Sequence, residues 1–197
     1  MPEEVRERCY RDLARMHRCL GNWQAILDLL RRDAQPVRSV LDIGCGHGAL
    51  AAEINKRLGV TAIGVDSTPA SQCNGIAIVR ADAVRDPLPA ADAAVSVMMA
   101  HHLSDEELAA LIRNVGRSCR RFIILDLVRA STPILLFRTF VAPFVNPINV
   151  ADGVRSIQRA YTAAELGRLV AATGVSFRHH VAPFGIRQIV DIRYDAG

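Results

Sequence analysis

The chain has 197 residues, of which half are hydrophobic and 22% are charged. This balance is typical of a globular protein and excludes an intrinsically disordered one. The length suits one domain with room for a full core. The formal net charge is +4, but the arginines are scattered and form no basic tract. The charge therefore indicates a solvated surface rather than a nucleic-acid partner.

Cysteine usage and the opening residues bear on the compartment. The five cysteines are odd in number and form no CxxC pair, which argues against a disulfide framework and against a zinc ribbon. The chain opens on an acidic, polar stretch rather than a secretory leader. It contains no uncharged apolar run of about 18 residues. We therefore expect a cytoplasmic protein without a transmembrane segment.

Helical spacing opens the chain. Apolar residues recur every three or four positions over residues 3–20, and Gly21-Asn22 interrupts the pattern. A second helix is predicted from Trp23 and ends before Pro36. Both helices precede the first predicted strand, so they lie outside the repeating unit that follows.

Strands and helices then alternate as far as Asp126. Strands are predicted at 39–43, 60–66, 76–79, 93–98 and 122–125, with helices at about 48–58 and 104–116. Ser104 is expected to cap its helix because a glutamate follows three residues later. Residues 67–75 are too short and too polar for a long crossover helix. This alternation predicts a parallel α/β sheet.

Residues 133–150 form a strongly apolar segment that three prolines interrupt. Three interpretations stay open. The segment is a helix that covers the core, a lid over a substrate, or a surface that meets a membrane or a partner chain. The last interpretation includes a homodimer formed through this segment.

The C-terminal part adds a helix and a hairpin. Thr162 is followed three residues later by a glutamate, a second capping pattern at the start of a helix. The predicted strands 175–181 and 186–192 have so short a join that they favour an antiparallel hairpin. The fold class is therefore α/β, with a mostly parallel seven-stranded sheet, one antiparallel C-terminal strand and helices on both faces.

The stretch Ser39–Gly48, SVLDIGCGHG, organises the chain. An apolar strand leads into three alternating glycines, and a helical pattern follows. Glycine lets the backbone approach a ligand closely or take positive φ, and a helix start offers unpaired N–H groups. Asp42 precedes the loop and Asp66 ends the next strand, as in nucleotide-binding doubly wound folds. A dehydrogenase fingerprint would need its third glycine at position 49, which is alanine.

At these residues the sequence resembles the class I S-adenosylmethionine-dependent methyltransferases, whose first motif looks like LDIGCGHG. The resemblance covers roughly residues 38–193. It implies a Rossmann-like methyltransferase fold, S-adenosylmethionine as cofactor and S-adenosylhomocysteine as product.

The resemblance also implies a role for each matching residue. Gly44 and Gly46 would lie under the methionine part of the cofactor, and Asp66 would accept hydrogen bonds from both ribose hydroxyls. Asp82 would accept from the adenine amine, beside the N–H of Ala83. The implied cofactor-binding set is Asp42, Gly44, Cys45, Gly46, Asp66, Ser67, Asp82, Ala83, Met98 and Met99.

Two adjacent histidines, His101 and His102, follow the fourth predicted strand beside the implied methionine part. A histidine there can be a general base near neutral pH, brace the loop by hydrogen bonding, or bind a metal, and all three roles stay open. We name both as catalytic candidates. We predict no metal site, because the local sequence offers few convergent carboxylates.

Stretches outside the shared core resemble a smaller methyltransferase group found in bacterial secondary metabolism. The matching stretches are residues 11–18, 21–23, 126–129 and 152–162. Those relatives often carry asparagine at the position of His17 and histidine at that of Ala151.

We expect methyl transfer to a small, hydrophobic acceptor, with O-methylation of a hydroxyl or carboxyl favoured. The acceptor side is predicted to include Tyr10, Met16, His17, Trp23 and residues 98–102 and 133–150. The alternatives are an RNA or protein methyltransferase and a non-catalytic partner subunit that keeps the fold. A single domain is expected, with acceptor-covering helices at 1–36, a cofactor-binding core at 37–130, a lid-like insertion at 131–160 and a helix and hairpin at 161–197.

Overall fold

The computed structural model describes residues 3–69, 75–145 and 147–194. The helices are α1 Glu3–Cys19, α2 Asn22–Arg31, α3 Ala49–Leu58, α4 Asp105–Val115, α5 Ser131–Leu136, α6 Pro147–Arg159 and α7 Ala163–Ala172. The strands are β1 Ser39–Ile43, β2 Thr61–Asp66, β3 Ile78–Arg80, β4 Ala91–Val97, β5 Cys119–Asp126, β6 Ser176–Val181 and β7 Gln188–Arg193. The predicted order of elements is confirmed.

One seven-stranded sheet has the order β3-β2-β1-β4-β5-β7-β6. Strands β1 to β5 pair in parallel, and β7 pairs antiparallel with both β5 and β6. The predicted sheet with one antiparallel C-terminal strand is therefore confirmed. The carboxyl ends of β1, β2, β4 and β5 meet at one edge, where a doubly wound fold binds its ligand.

The sheet carries a hydrophobic core on each face. Leu41 and Ile43 of β1 face a cluster with α4 and α7, whereas Val40 faces a cluster with α2 and α3. Successive residues of a strand point to opposite faces, so the apolar residues of β1 supply both layers. All three side chains are at most 1% exposed. Each contributes about 1.5–3 kcal/mol by this burial.

Both predicted capping boxes are present. The Ser104 hydroxyl accepts from the Glu107 N–H at 3.2 Å, and the Thr162 hydroxyl accepts from the Glu165 N–H at 3.3 Å. In each box the glutamate accepts in return from the N–H of its capping residue. These caps fix where α4 and α7 begin, and hence the loops that precede them.

The structure corrects three sequence-based expectations in detail. The predicted strand 76–79 is β3, Ile78–Arg80, and the strand predicted at 93–98 is β4, Ala91–Val97. Met98 lies beyond β4 because its φ of 57° breaks the extended backbone. Part of the short 67–75 crossover, residues 70–74, lies outside the described residues.

The third correction concerns the apolar segment 133–150. It is not a core-covering helix along its length, because α5 gives way to a π-helical turn at Phe137–Val141 and a 3₁₀ turn at Ala142–Phe144. Pro133 is buried, but the side chains of the four largest exposed residues are 55–76% exposed: Leu135, Phe140, Phe144 and Ile148. Only one side of the segment therefore packs inward.

A buried ion cluster lies at the opposite, amino edge of the sheet. Arg121 of β5 donates to the Asp191 carboxylate from Nε and Nη2, both at 2.8 Å, and to Asp33 Oδ2 at 3.1 Å. Arg193 and Arg120 also pair with Asp33, at 2.7 and 3.1 Å. Each charge in the cluster therefore has an opposite charge at hydrogen-bonding distance.

Candidate active site

A cavity of about 540 Å³ lies at the carboxyl edge of the sheet. Every residue that the sequence predicted for the cofactor or for catalysis lines this cavity: Asp42, Gly44, Cys45, Gly46, Asp66, Ser67, Asp82, Ala83, Met98, Met99, His101 and His102. Helices α1 and α6 close its other side through Met16, His17, Asp152 and Ser156. The predicted residues therefore converge on one site.

The predicted acceptor side is partly in place. Met16, His17 and Trp23 line the cavity. Ala151 lines a separate groove between Arg138 and Arg155. The side chain of Tyr10 lies outside the described part of the chain.

The glycine loop brings bare backbone to the cavity. Gly44 has φ 73° and its N–H donates to the Val65 carbonyl at 2.8 Å. A Cβ at this position would lie 2.8 Å from Cγ of Met99, closer than two carbon atoms can pack. Gly46 has φ 57°. Only glycine therefore allows this loop, this conformation and Met99 together.

Asp66 holds the loop from the neighbouring strand. Its Oδ2 accepts from the N–H of Gly46 at 2.8 Å, and its Oδ1 accepts from the N–H of Thr68 at 2.9 Å. A carboxylate has about four acceptor positions, so two bonds leave capacity for hydroxyl groups in the cavity. The half-buried side chain both positions the loop and offers an acceptor to a ligand.

Asp42 is a buried carboxyl behind the loop. It is 3% exposed and accepts from the N–H of Ala51, in the first turn of α3, at 3.2 Å. Burial raises its pKa to about 7, against the hydrogen bond from Ala51 and together with the charge of Asp66. The group therefore changes charge near neutral pH.

Asp82 follows β3 at the far end of the cavity. Its Oδ1 accepts from the N–H of Val84 at 3.0 Å, and its Oδ2 pairs with Arg85 at 3.2 Å. The side chain of Asn114 supports the turn by donating to the carbonyl of Ala83 at 2.9 Å. The turn is thus held in shape from α4.

His101 forms a buried pair with Asp126, the last residue of β5. Its Nδ1 lies 2.7 Å from Asp126 Oδ1, and both side chains are 3% exposed. The same carboxylate accepts from the N–H groups of His101 and Leu127, at 2.8 and 2.7 Å. Asp126 is already an acceptor for both backbone N–H groups. We infer that it also accepts a hydrogen bond from Nδ1–H of the ring, which leaves a lone pair on Nε2.

Nε2 of His101 is buried and has no hydrogen-bond partner among the described residues. Such an atom is costly unless a ligand or water completes it. His102 differs, because its side chain is exposed, and its ring is tilted by 40° to the His101 ring with the two centroids 4.1 Å apart. Burial of part of its ring and the neighbouring His101 lower the pKa of His102. Of the two rings, His101 is therefore the one held in a fixed orientation.

A third histidine, His17 of α1, was predicted on the acceptor side, but its hydrogen-bond partners were not predicted. Its Nδ1 lies 3.0 Å from Nδ2 of Asn22, whose Oδ1 accepts from Arg187 at 2.8 Å. Burial lowers the pKa of His17 to about 4, against the charge of Asp126. No sequence signal joins Asn22 to Arg187, because the tertiary fold alone brings Arg187, the residue before β7, to the start of α2.

Comparison with known families decides the classification. A family profile described as a methyltransferase domain matches residues 13–179. The chain belongs to this family. The resemblance drawn from the glycine loop is thereby confirmed, and the methyltransferase is an enzyme. Among curated proteins, no sequence matches it.

Solved structures share the fold at low sequence identity. Human N-acetylserotonin methyltransferase in complex with SAM is 17% identical, with a TM-score of 0.68, over 99% of this chain and 57% of that chain. The plantazolicin methyltransferase BamL, in complex with a triazolic desmethylPZN analog and SAH, is 14% identical, with a TM-score of 0.75, over 98% and 91%. Magnesium protoporphyrin IX methyltransferase from Synechocystis PCC 6803, with bound SAH, is 18% identical, with a TM-score of 0.59, over 89% and 84%.

Two further findings concern metals and membranes. Within residues 3–69, 75–145 and 147–194, no group of three or more His, Cys, Asp or Glu side chains is arranged to hold a metal ion. The helices of these same ranges include none with both the length and the apolar character needed to cross a bilayer.

Proposed function

We propose that this methyltransferase uses S-adenosylmethionine to methylate a hydroxyl group of a small, largely apolar acceptor, with His101 as general base. The observation that carries the proposal is the buried Asp126–His101 pair: its Nε2 has no partner among the described residues, and His101 lines the cavity that the glycine loop also lines. The three solved relatives support S-adenosylmethionine as the methyl donor, because each is described with SAM or SAH.

The shape and the polar groups of the glycine loop and its neighbours suit S-adenosylmethionine. Gly44 and Gly46 carry no side chain and take positive φ, so their backbone could lie against the methionine part. Asp66 would accept from the ribose hydroxyls with the acceptor capacity that its two backbone bonds leave. Asp82 and the N–H of Ala83 would hold the adenine end. When bound, S-adenosylmethionine supplies an electrophilic methyl group.

His101 handles the proton of the acceptor. Nε2 takes the proton of the hydroxyl as its oxygen becomes the nucleophile, and the imidazolium that forms is stabilised by the Asp126 carboxylate at Nδ1. Three donors fix that carboxylate, so the ring keeps one tautomer and one orientation. A carboxylic acceptor needs no such base, and for this reason the orphaned Nε2 favours a hydroxyl.

The apolar lining of the acceptor side favours a hydrophobic substrate. Leu13, Met16, Trp23, Phe137 and Ile157 border the cavity. Alignment of the acceptor with the methyl carbon is the main contribution that such a site makes to the rate. The substrates in the descriptions of the solved relatives are also small molecules rather than polymers.

The test is transfer of labelled methyl from S-adenosylmethionine to parallel panels of phenols, aromatic carboxylic acids and RNA. We expect label in the phenols, and a loss of about 10²–10⁴-fold in rate in His101→Gln. His180→Gln, at an exposed position of β6, is the matched control and should keep the full rate. Label only in RNA or only in carboxylic acids, or full activity in His101→Gln, would contradict the proposal.

A further inference from the structure

His17 also lines the cavity, and its ring proton has the opposite placement to that of His101. His17 belongs to α1, and its ring is in contact with Asn22 at the start of α2. The charge of Asp126, the partner of His101, also acts on His17 and His102. The proton position of His17 follows from its hydrogen bonds.

Arg187 determines the orientation of the Asn22 amide. Its Nη1 donates to the Leu20 carbonyl at 2.7 Å and to Asn22 Oδ1 at 2.8 Å. A guanidinium can only donate, so the amide oxygen must face Arg187. The amide nitrogen then faces His17 Nδ1 at 3.0 Å. Asn22 is 2% exposed, and its amide therefore cannot turn over without leaving a buried group unpaired.

Because Asn22 donates to Nδ1, that nitrogen carries a lone pair and the ring proton lies on Nε2. Burial lowers the pKa of the ring to about 4, so His17 stays neutral at neutral pH. His101 has the reverse arrangement, with its proton on Nδ1 toward Asp126. The cavity lining therefore contains two rings of opposite arrangement, His17 with its proton on Nε2 and His101 with its lone pair on Nε2.

We propose that His17 is a specificity-determining hydrogen-bond donor, which selects methyl acceptors that carry a lone-pair oxygen or nitrogen in addition to the hydroxyl that is methylated. This inference rests on the proposed function. A substrate with a carbonyl or ether oxygen satisfies the His17 N–H, whereas a purely hydrocarbon substituent leaves that donor desolvated and unpaired. Sites built in this way reject analogues that lack the matching group.

The tautomer can be measured without any acceptor. Nitrogen-15 NMR of the protein with S-adenosylhomocysteine should show His17 protonated at Nε2 and unprotonated at Nδ1 at pH 7. In Asn22→Asp, measured at pH 8.5, a carboxylate replaces the amide donor and should draw the proton to Nδ1. Protonation at Nδ1 in the wild-type protein would overturn the inference. Failure of S-adenosylhomocysteine to bind would instead overturn the proposed function.

The selectivity is tested with probes of matched shape. We would titrate ortho-, meta- and para-hydroxyacetophenone and the three corresponding ethylphenols into the S-adenosylhomocysteine complex. At least one ketone should bind about three- to tenfold more tightly than its ethyl counterpart. His17→Gln keeps a side-chain N–H and should retain the preference, whereas His17→Phe should abolish it.

His180→Gln, on the exposed edge strand, should keep the wild-type ratio of affinities. In Asn22→Asp at pH 8.5, where NMR should show Nε2 of His17 without its proton, the preference for the ketone over the ethyl probe should disappear. Absence of a ketone preference in the wild-type protein, or its survival in His17→Phe, would refute the role of His17.

Discussion

The two edges of the sheet both bury charged groups, but they satisfy them differently. At the amino edge, Arg121 donates to both Asp33 and Asp191, at 2.8–3.1 Å. At the carboxyl edge, Asp42 has a raised pKa and His101 has a buried nitrogen with no partner among the described residues. Buried polar groups are normally paired. The first edge is thus built for stability, and the second leaves bonding capacity for a ligand.

This contrast predicts that matched substitutions have opposite consequences at the two edges. The largest effect is expected for Asp126→Asn, because an amide cannot stabilise the imidazolium of His101. We expect the methyl-transfer rate to fall by about 10²–10⁴-fold while the fold is retained. Single-turnover measurement with an active phenol checks this.

The matched control is Asp92→Asn, at the amino edge. Asp92 also accepts from two backbone N–H groups, those of Arg38 and Ser39, at 2.7 and 3.0 Å. Its substitution should lower stability and leave the rate nearly unchanged. Equal loss of rate in both variants would show that the carboxyl edge has no special role.

The largest loss of stability is expected at the amino edge. Arg121→Met removes the shared partner of Asp33 and Asp191 and leaves buried carboxylates with fewer counter-charges. Breaking a buried pair in this way costs about 3–5 kcal/mol, which urea unfolding would measure. Arg31→Met, which removes the exposed pair with Asp28, should cost less than about 1 kcal/mol. Similar values for the two variants would mean that the cluster adds no stability.

The dependence of stability on pH should differ in sign between the edges. Burial opposes the ionisation of Asp33, but the hydrogen bond from Arg193 and the charge of Arg121 outweigh it and lower the pKa to about 2. The stability that Asp33 contributes is therefore present above its unfolded pKa, near 4, and is lost as the pH falls toward 2. The pKa of Asp42 is raised to about 7, so its contribution is greatest below about pH 4 and is lost as the pH rises through 7.

Unfolding curves from pH 2 to pH 8 test both signs. Asp33→Asn should remove about 2 kcal/mol of the stability gained between pH 2 and 4. Asp42→Asn should be more stable than the wild-type protein at pH 8, by about 2–4 kcal/mol, and should lose that advantage toward pH 4. If the free-energy contributions of Asp33 and Asp42 changed with pH in the same direction, the two edges would not differ in this respect.

The sequence predicted those features that local patterns encode. Neighbouring residues encode the alternation of strands with helices, both capping boxes and the glycine loop. The convergence of Asp42, Asp66 and Asp82 at one edge was also predicted, because each lies near the end of a predicted parallel strand. The pairing of His101 with Asp126 was missed, although both residues follow predicted strands, because only the adjacency of β4 and β5 brings them together.

Other features depend on distant parts of the chain. Arg121 lies in a strand and is 2% exposed, yet an arginine in a sequence is most simply interpreted as a surface residue. Its burial is possible because two carboxylates from distant parts of the chain pair with it: Asp33, which follows α2, and Asp191 of β7. The Asn22–Arg187 contact likewise joins opposite ends of the chain. The apolar pattern of 133–150 did not reveal which side of that segment packs inward.

The measurement that tests the account most directly is calorimetric binding of S-adenosylmethionine to the wild-type protein and to Asp66→Ala. The variant loses an acceptor for the ribose hydroxyls and the bond that holds Gly46. We predict that the wild-type protein binds and that the variant binds about 2–3 kcal/mol more weakly, while Asp92→Ala at the other edge keeps the wild-type affinity. No binding to the wild-type protein, or equal affinity in Asp66→Ala, would contradict the assignment of the carboxyl edge as the cofactor site.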